Sequence, residues 1–210
     1  MAMSRVKWIL ASASPRRREI LRGLGLRFRI RPSTVPEPAG RPGETPPRYA
    51  VRAARLKCRE ISTRFDSGIV IGADTIVVLR NRIMGKPCSQ EEASAMLRSL
   101  SGRWHEVITG ICLLDCTTRK ERSAACISRV HFRRIQPGEI QWYLDTGEYK
   151  DKAGAYAIQG YASLFIDRIE GCYFNIVGFP VATFERVCRR CGIGLAGDCE
   201  EAADWSLSNG

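Results

Sequence analysis

The stretch Ile69-Val70-Ile71-Gly72-Ala73-Asp74-Thr75-Ile76-Val77-Val78-Leu79 is apolar or β-branched almost throughout, and a single carboxylate interrupts it near the middle. Such a run reads as a strand buried on both faces, closed by the turn signal Arg80-Asn81-Arg82. Burying an unpaired carboxylate costs on the order of several kcal/mol. Asp74 therefore calls for a metal ion, a group of cationic side chains or a raised pKa, each more typical of an active site than of a packing core. The plain alternative is a strand-end Asp that caps the next turn. Five apolar or β-branched residues stand between Asp74 and the turn, which argues against it.

A chain of 210 residues is long enough for a sizeable core without crosslinks. Residues 1–197 are expected to form a single α/β domain, with residues 198–210 a frayed tail. No stretch reaches the roughly 18 apolar residues of a membrane span, and the amino terminus lacks the apolar centre of a signal peptide. The expectation is a soluble, cytoplasmic protein without a membrane partner. Nine cysteines are an odd count, and reduced thiols are the simplest reading. The net charge of +11 attracts polyanions. Basic residues are not interleaved with aromatic ones and no RNP-like strand or zinc-finger spacing occurs, so no specific nucleic acid is expected. A non-catalytic basic nucleic-acid-binding module remains the alternative, on net charge alone.

Residues 6–11 read as a buried strand that runs into Ser12-Ala13-Ser14-Pro15-Arg16-Arg17-Arg18. There Ser14 is a helix N-cap and Pro15 the first helical residue, with Ile20, Leu21 and Leu24 inward and Gly23 or Gly25 as the stop. A strand at 28–30 leads to a Pro-rich loop, 32–47, that carries Glu37. A helix from Thr45 to about Phe65 places Tyr49, Ala53, Leu56 and Ile61 on one side, with Lys57 on or beside that stripe. Ser89 and Glu92 form a capping box for a helix ending near Gly102. Residues 104–114 and 122–132 read as paired strands, 137–145 as a short helix, 163–169 as a strand and 180–190 as the last helix. Strands alternating with helices in the first half predict an α/β fold with a mixed sheet.

A strand feeding a helix whose first turn holds serines and arginines is an anion site: free backbone N–H groups, the Ser12 and Ser14 hydroxyls, and Arg16 or Arg17 all offer donors. The bland alternative is a capped helix with a solvated basic turn, yet cations at a helix amino end are unfavourable unless an anion is there. Lys86, between Gly85 and Pro87, and Lys57 are candidates to meet a polyphosphate; Lys57 needs a partner, which Asp74, Glu37 or a phosphate would supply. Glu37 and Asp74 are the carboxylate pair for a divalent ion whose shell phosphate oxygens would complete. Gln159 before Gly160 is a candidate to hydrogen-bond a base edge. Cys188 and Cys191 form a C-x-x-C with only Cys199 nearby, which is half a zinc site at best and leaves a thiol oxidoreductase as a minor alternative. His105 and His131 sit in strands and read as structural, and no G-x-x-x-x-G-K-[ST] loop is present.

Ser12-Ala13-Ser14-Pro15-Arg16-Arg17, Gly72-Ala73-Asp74-Thr75, Gly85-Lys86-Pro87, Ser101-Gly102 with His105 and Thr109-Gly110, Asp151-Lys152-Ala153-Gly154-Ala155-Tyr156, Ile158-Gln159-Gly160 and Asn175-Ile176-Val177-Gly178-Phe179-Pro180 follow one another in register. Together they resemble the Maf (septum formation inhibitor) family of nucleoside triphosphate pyrophosphatases, over about residues 6–190. The resemblance implies cleavage between the α and β phosphates with a divalent metal, Mg²⁺ or Mn²⁺, and an elongated α/β fold of two lobes and a central cleft, related to that of ITPases. It also implies Asp74 as proton acceptor, Glu37, Lys57 and Lys86 around metal and triphosphate, and Ser12, Arg16 and Arg17 at the phosphate-binding helix start. Arg16, Thr75 and Gln159 match the branch that prefers dTTP and UTP, with modified pyrimidine nucleotides as further substrates, and a homodimer is common in such proteins. Pro36 stands where the family usually has an acidic residue.

Overall fold

The computed structural model describes residues 6–195 and shows a seven-stranded mixed sheet flanked by helices. The strands are β1 (Trp8–Leu10), β2 (Phe28–Ile30), β3 (Ile69–Leu79), β4 (Arg82–Met84), β5 (Trp104–Asp115), β6 (Glu121–Phe132) and β7 (Ile166–Glu170). Their order is β2-β1-β3-β5-β6-β7, with β4 paired on β3. β1 lies parallel to β2 and β3, while β3, β5, β6 and β7 pair antiparallel. Arg80 and Asn81 both adopt positive φ, 50° and 63°, so the β3–β4 hairpin turns through the two-residue geometry whose twist matches its strands. The tail expected at 198–210 lies outside the described residues.

The pleat of β3 divides the core. Val70, Ile76 and Val78 face helix α2 (Pro46–Ser62), packing with Ala50, Ala54, Cys58 and Ile61. On the opposite face Ile71 and Ala73 join the cluster under α1 (Pro15–Gly23) and α6 (Val181–Arg190). Val77 joins another cluster, under α3 (Gln90–Leu100) and α4 (Pro137–Asp145). Two apolar cores therefore share one sheet face, and Thr75 falls in the gap between them. These are the two lobes.

The starts of α1 and α3 follow local chemistry. Ser14 accepts from the Arg17 N–H at the head of α1, and Ser89 does the same for Glu92 at α3. Gly25, at φ +73°, ends the first helix. α2 stops at Ser62, three residues before the expected end, and its buried face is Ala50, Ala53, Ala54, Cys58 and Ile61, whereas Tyr49 and Leu56 are only half-buried. Small residues dominate because the helix lies against glycines: a Cβ on Gly110 would stand 2.3 Å from the Ala50 carbonyl carbon and oxygen, and one on Gly72 would stand 2.4 Å from the Ala54 oxygen. The strand expected at 163–169 begins only at Ile166, because residues 161–165 form a 3-10 turn tied by the Ser163 N–H to the Gly160 carbonyl. The short helix α5 (Tyr173–Val177), ended by Gly178 at φ +119°, has no counterpart in the sequence reading.

Candidate active site

Asp74 is 7% exposed and sits on the α2 face of β3, two residues from Gly72 and directly opposite Gly110 of β5. Those glycines let α2 approach closely enough for Lys57 to reach inward, and its Nζ donates to Asp74 Oδ1 at 2.6 Å. Of Asp74, Glu37 and a phosphate, the partners open to Lys57 on sequence grounds, Asp74 is the one it meets. Both groups are largely shielded, with side-chain exposures of 20% for Lys57 and 10% for Asp74, so the pair answers the desolvation problem posed by the strand. Asp74 Oδ2 takes no hydrogen bond from the described residues.

The cleft beside this pair has a volume of about 790 Å³. Ser12, Arg16, Arg17, Glu37, Lys57, Asp74, Thr75 and Lys86 all line it, although they come from the β1–α1 segment, α1, the 32–47 loop, α2, β3 and the segment after β4. Gln159 does not: its side chain is exposed, and its neighbours Ala157 and Ile158 form the wall there.

At the head of α1, Ser12 Oγ accepts from the Ser14 N–H and from Arg17 Nη1, and Ser14 Oγ accepts from the Arg17 N–H. Each hydroxyl proton is left to point elsewhere. Arg17 is turned inward: Nε donates to the Gly178 carbonyl, Nη1 to the Ala73 carbonyl and Nη2 to Thr75 Oγ1, each at 3.0 Å. Burial pulls its pKa down, partly offset by the negative charge of Asp74, but a guanidinium remains charged. Thr75 Oγ1 also meets Thr109 Oγ1 at 2.9 Å, and Thr109 Oγ1 donates to the Asn175 carbonyl. Arg17 and Thr75 thus form the polar floor that joins the two lobes. Arg16, by contrast, enters no hydrogen bond or ion pair among the described residues and faces the cleft.

The loop bearing Glu37 is held by Glu60 of α2, which accepts from the Ser33 hydroxyl and from the Thr34 and Val35 N–H groups. These bonds, the Ser33 hydroxyl foremost, keep the Glu60 carboxyl below its ordinary range. Pro36 and Glu37 are thereby suspended over the cleft, where Glu37 Oε1 pairs with Lys86 Nζ at 3.3 Å. The Tyr49 phenol is pushed up by burial and then by the negative charges of Asp74 and Glu37, so both carboxylates lie within electrostatic reach of one side chain. A pair of hard oxygen donors suits a divalent ion, and among the described residues no cluster of three or more His, Cys, Asp or Glu side chains exists to hold one alone. A metal there would need phosphate or water oxygens to complete its shell.

The sequence profile described as "Maf-like protein" matches residues 7–191. The chain belongs to the Maf family. A dTTP/UTP pyrophosphatase of Syntrophomonas wolfei is 42% identical over 186 residues, covering 89% of this chain and 98% of that protein. Proteins of the same description from Koribacter versatilis and Alkaliphilus oremlandii are 47% and 49% identical, covering 88% and 82% of this chain and 94% and 90% of theirs. Among solved structures, a nucleoside-triphosphatase described as a dITP/XTP pyrophosphatase, from Mycobacterium abscessus, covers 62% of this chain and 76% of its own at 15% identity, with a TM-score of 0.40.

Within this Maf chain the cleft also contains residues to which the sequence assigned no role. Asp151, Lys152 and Tyr156 line it, placed by a 3-10 turn, Ala153–Ala155, that packs Gly154 on Val77 and ties its N–H to the Gly85 carbonyl. Asp151 at φ 58° and Ala155 at φ 64° show how tightly that segment is wound. No periodicity announces such a turn. His105 is structural: Nε2 bonds Tyr156 Oη at 2.7 Å, the ring stacks edge-on to Phe132, and burial lowers its pKa to about 4. The C-x-x-C does not form a paired site, since Cys188 is buried in the α6 core while Cys191 is exposed past the helix end, and no disulfide is found among the described cysteines.

Proposed function

We propose that this protein is a nucleoside triphosphate pyrophosphatase that hydrolyses dTTP, UTP or modified pyrimidine nucleotides to the monophosphate and pyrophosphate, acting in the cytoplasm. The observation that carries the reading is the buried Lys57–Asp74 pair at the wall of a cleft that also gathers Arg16, Lys86 and the amino end of α1. Family membership and the names of relatives covered over most of their length support it.

In this reading the triphosphate lies with its anionic oxygens toward Arg16, Lys86, Ser12 and the free N–H groups of α1, where positive charge and helix dipole add. Lys57 fixes Asp74 through Oδ1. Oδ2 is then the proton acceptor for a water attacking the α-phosphorus, and pyrophosphate departs with its charge neutralised by the cationic side chains. Glu37 and Asp74 would hold a divalent ion, Mg²⁺ or Mn²⁺, which when bound polarises phosphate oxygens and acidifies water. Thr75 and Arg16 shape the base pocket. Gln159 reads the pyrimidine edge from the rim, which its exposed position requires it to do by turning inward over Ile158.

Hydrolysis of dTTP in ¹⁸O-water tests the bond broken. Label in dTMP and none in pyrophosphate is expected; label in pyrophosphate places attack on the β-phosphorus and overturns the reading. A triphosphate panel in which purines turn over faster than dTTP and UTP would overturn the specificity assigned to Arg16, Thr75 and Gln159.

A further inference from the structure

Helix α2 carries a second cationic feature on the side away from the cleft. Arg48, Arg52, Arg55 and Arg59 recur at spacings of four, three and four residues, which at about 100° per residue aligns them in one stripe. Lys57 projects from the opposite side of the same helix, about 170° from the stripe's centre. Together with Arg41 these four arginines line a groove of about 670 Å³ whose apolar wall includes Pro47, Val51 and Leu56. Among the described residues its one acidic lining residue is Glu44.

The arginines are held rather than splayed. Arg52 donates Nε and Nη2 to Glu44 and Nη2 also to the Ala39 carbonyl. Arg59 forks onto Glu121, and Arg55 donates to Ser123 Oγ beside the same carboxylate. A guanidinium has five N–H donors, so each of these keeps donors that its partner does not use. Arg41 and Arg48 are exposed and form no ion pair among the described residues. Five arginines against Glu44 in the groove and Glu121 beside it leave the groove strongly positive, and these carboxylates orient guanidinium planes instead of filling the site. Arginine forks match phosphate oxygens bidentately, and an apolar wall strengthens such bonds by excluding water.

We propose that this groove binds a short linear oligophosphate anion at a site separate from the catalytic cleft. The shape and composition select that class. Among the described residues no aromatic side chain lines the groove, so they offer bases no surface to stack on and single-stranded nucleic acid no platform of the usual kind. A groove of about 670 Å³ between α2 and the 41–44 segment accepts a thin chain of phosphates, whereas a duplex presents a broad convex cylinder. The anion lies along α2 over part of the stripe, where the helix rises about 4.5–6 Å from one arginine to the next, so that each guanidinium it meets bonds more than one phosphate, and Arg41 stands beside it.

Calorimetric titration of the full chain with sodium tripolyphosphate in EDTA, with excess α,β-methylene-dTTP present, tests this. One saturable site per chain is expected, its affinity falling steeply with salt and at least about 10-fold in Arg41→Ser/Arg48→Ser, while pyrophosphate release from dTTP is unchanged. Both residues are exposed and unpaired, so the variant is expected to fold; Arg48→Glu, with an equal or larger loss, provides a second reading. Comparing wild type with variant isolates the groove whatever the cleft binds. Absence of a saturable site, equal affinity in the variants, or displacement of tripolyphosphate by oligo-dT or duplex DNA of matched charge would overturn the proposal.

Discussion

Asp74 and Lys57 depend on each other. With its ammonium 2.6 Å from Oδ1 and both side chains mostly shielded, removing the cation strands a carboxylate in the sheet. Lys57→Met is expected to destabilise the fold by about 2 kcal/mol, less than for a fully buried pair because some solvent reaches both groups. Lys57→Met/Asp74→Asn should recover most of that loss in urea unfolding; a double variant no more stable than the single one would contradict the coupling. The carboxylate's predicament was legible in the sequence, because a charge within a run of buried-strand residues has few physical solutions. Its solution was not, since sequence spacing on α2 puts Lys57 near the buried side without saying which acid it meets. Arg17 shows the same limit. A basic helix start announces an anion site, yet only the fold distinguishes Arg17, spent on Gly178, Ala73 and Thr75, from Arg16, which faces the cleft.

Among the elements, α2 and the β3–β5 pair set the geometry of the site. Their contact runs over Gly72 and Gly110, where any side chain would strike helix backbone, which cannot swing aside as a flexible side chain can. Gly110→Ala is expected to cost about 3 kcal/mol by urea or thermal unfolding, and to lower turnover by pushing α2, and Lys57 with it, away from Asp74. Wild-type stability in that variant would mean that the helix does not rest on the strand as described. Elements with strong local signals were readable: the capped starts of α1 and α3, the two long strands β5 and β6, and the hairpin after β3. The 3-10 turn at 161–165 and α5 were not, because the apolar run Leu164-Phe165-Ile166 reads as the start of a strand and a five-residue helix is set by its packing rather than by its own propensity.

Over the whole molecule, two apolar cores share one face of the sheet, α2 packs on the other, and polar groups fill the seam between the two cores. Thr75, Thr109, Asn175 and Arg17 bridge that seam, while His105 and Tyr156 bond within the α3–α4 lobe. His105 links the fold to pH. Its folded-state pKa of about 4 lies below the ordinary value of 6.5, so below pH 6.5 the unfolded chain binds the proton first and stability falls until pH reaches about 4. Acidification from pH 7 to 5 is expected to remove about 2 kcal/mol through this residue, and His105→Gln should flatten that part of the profile; an unchanged slope would contradict the assignment. The arrangement of lobes was implied by resemblance, whereas the cleft itself depends on loops whose placement no local pattern encodes. Glu37 reaches it only because Glu60 binds the 33–35 segment.

The central claim is that Asp74 does chemistry rather than merely balancing Lys57, and release of pyrophosphate from dTTP with Mg²⁺ by Asp74→Asn measures this most directly. Asn keeps the shape and a hydrogen-bond acceptor for Lys57 but takes no proton from water at neutral pH. A variant that remains folded by circular dichroism and loses at least about 100-fold in turnover is the predicted result. A folded Asp74→Asn protein with near-wild-type pyrophosphate release would contradict the account.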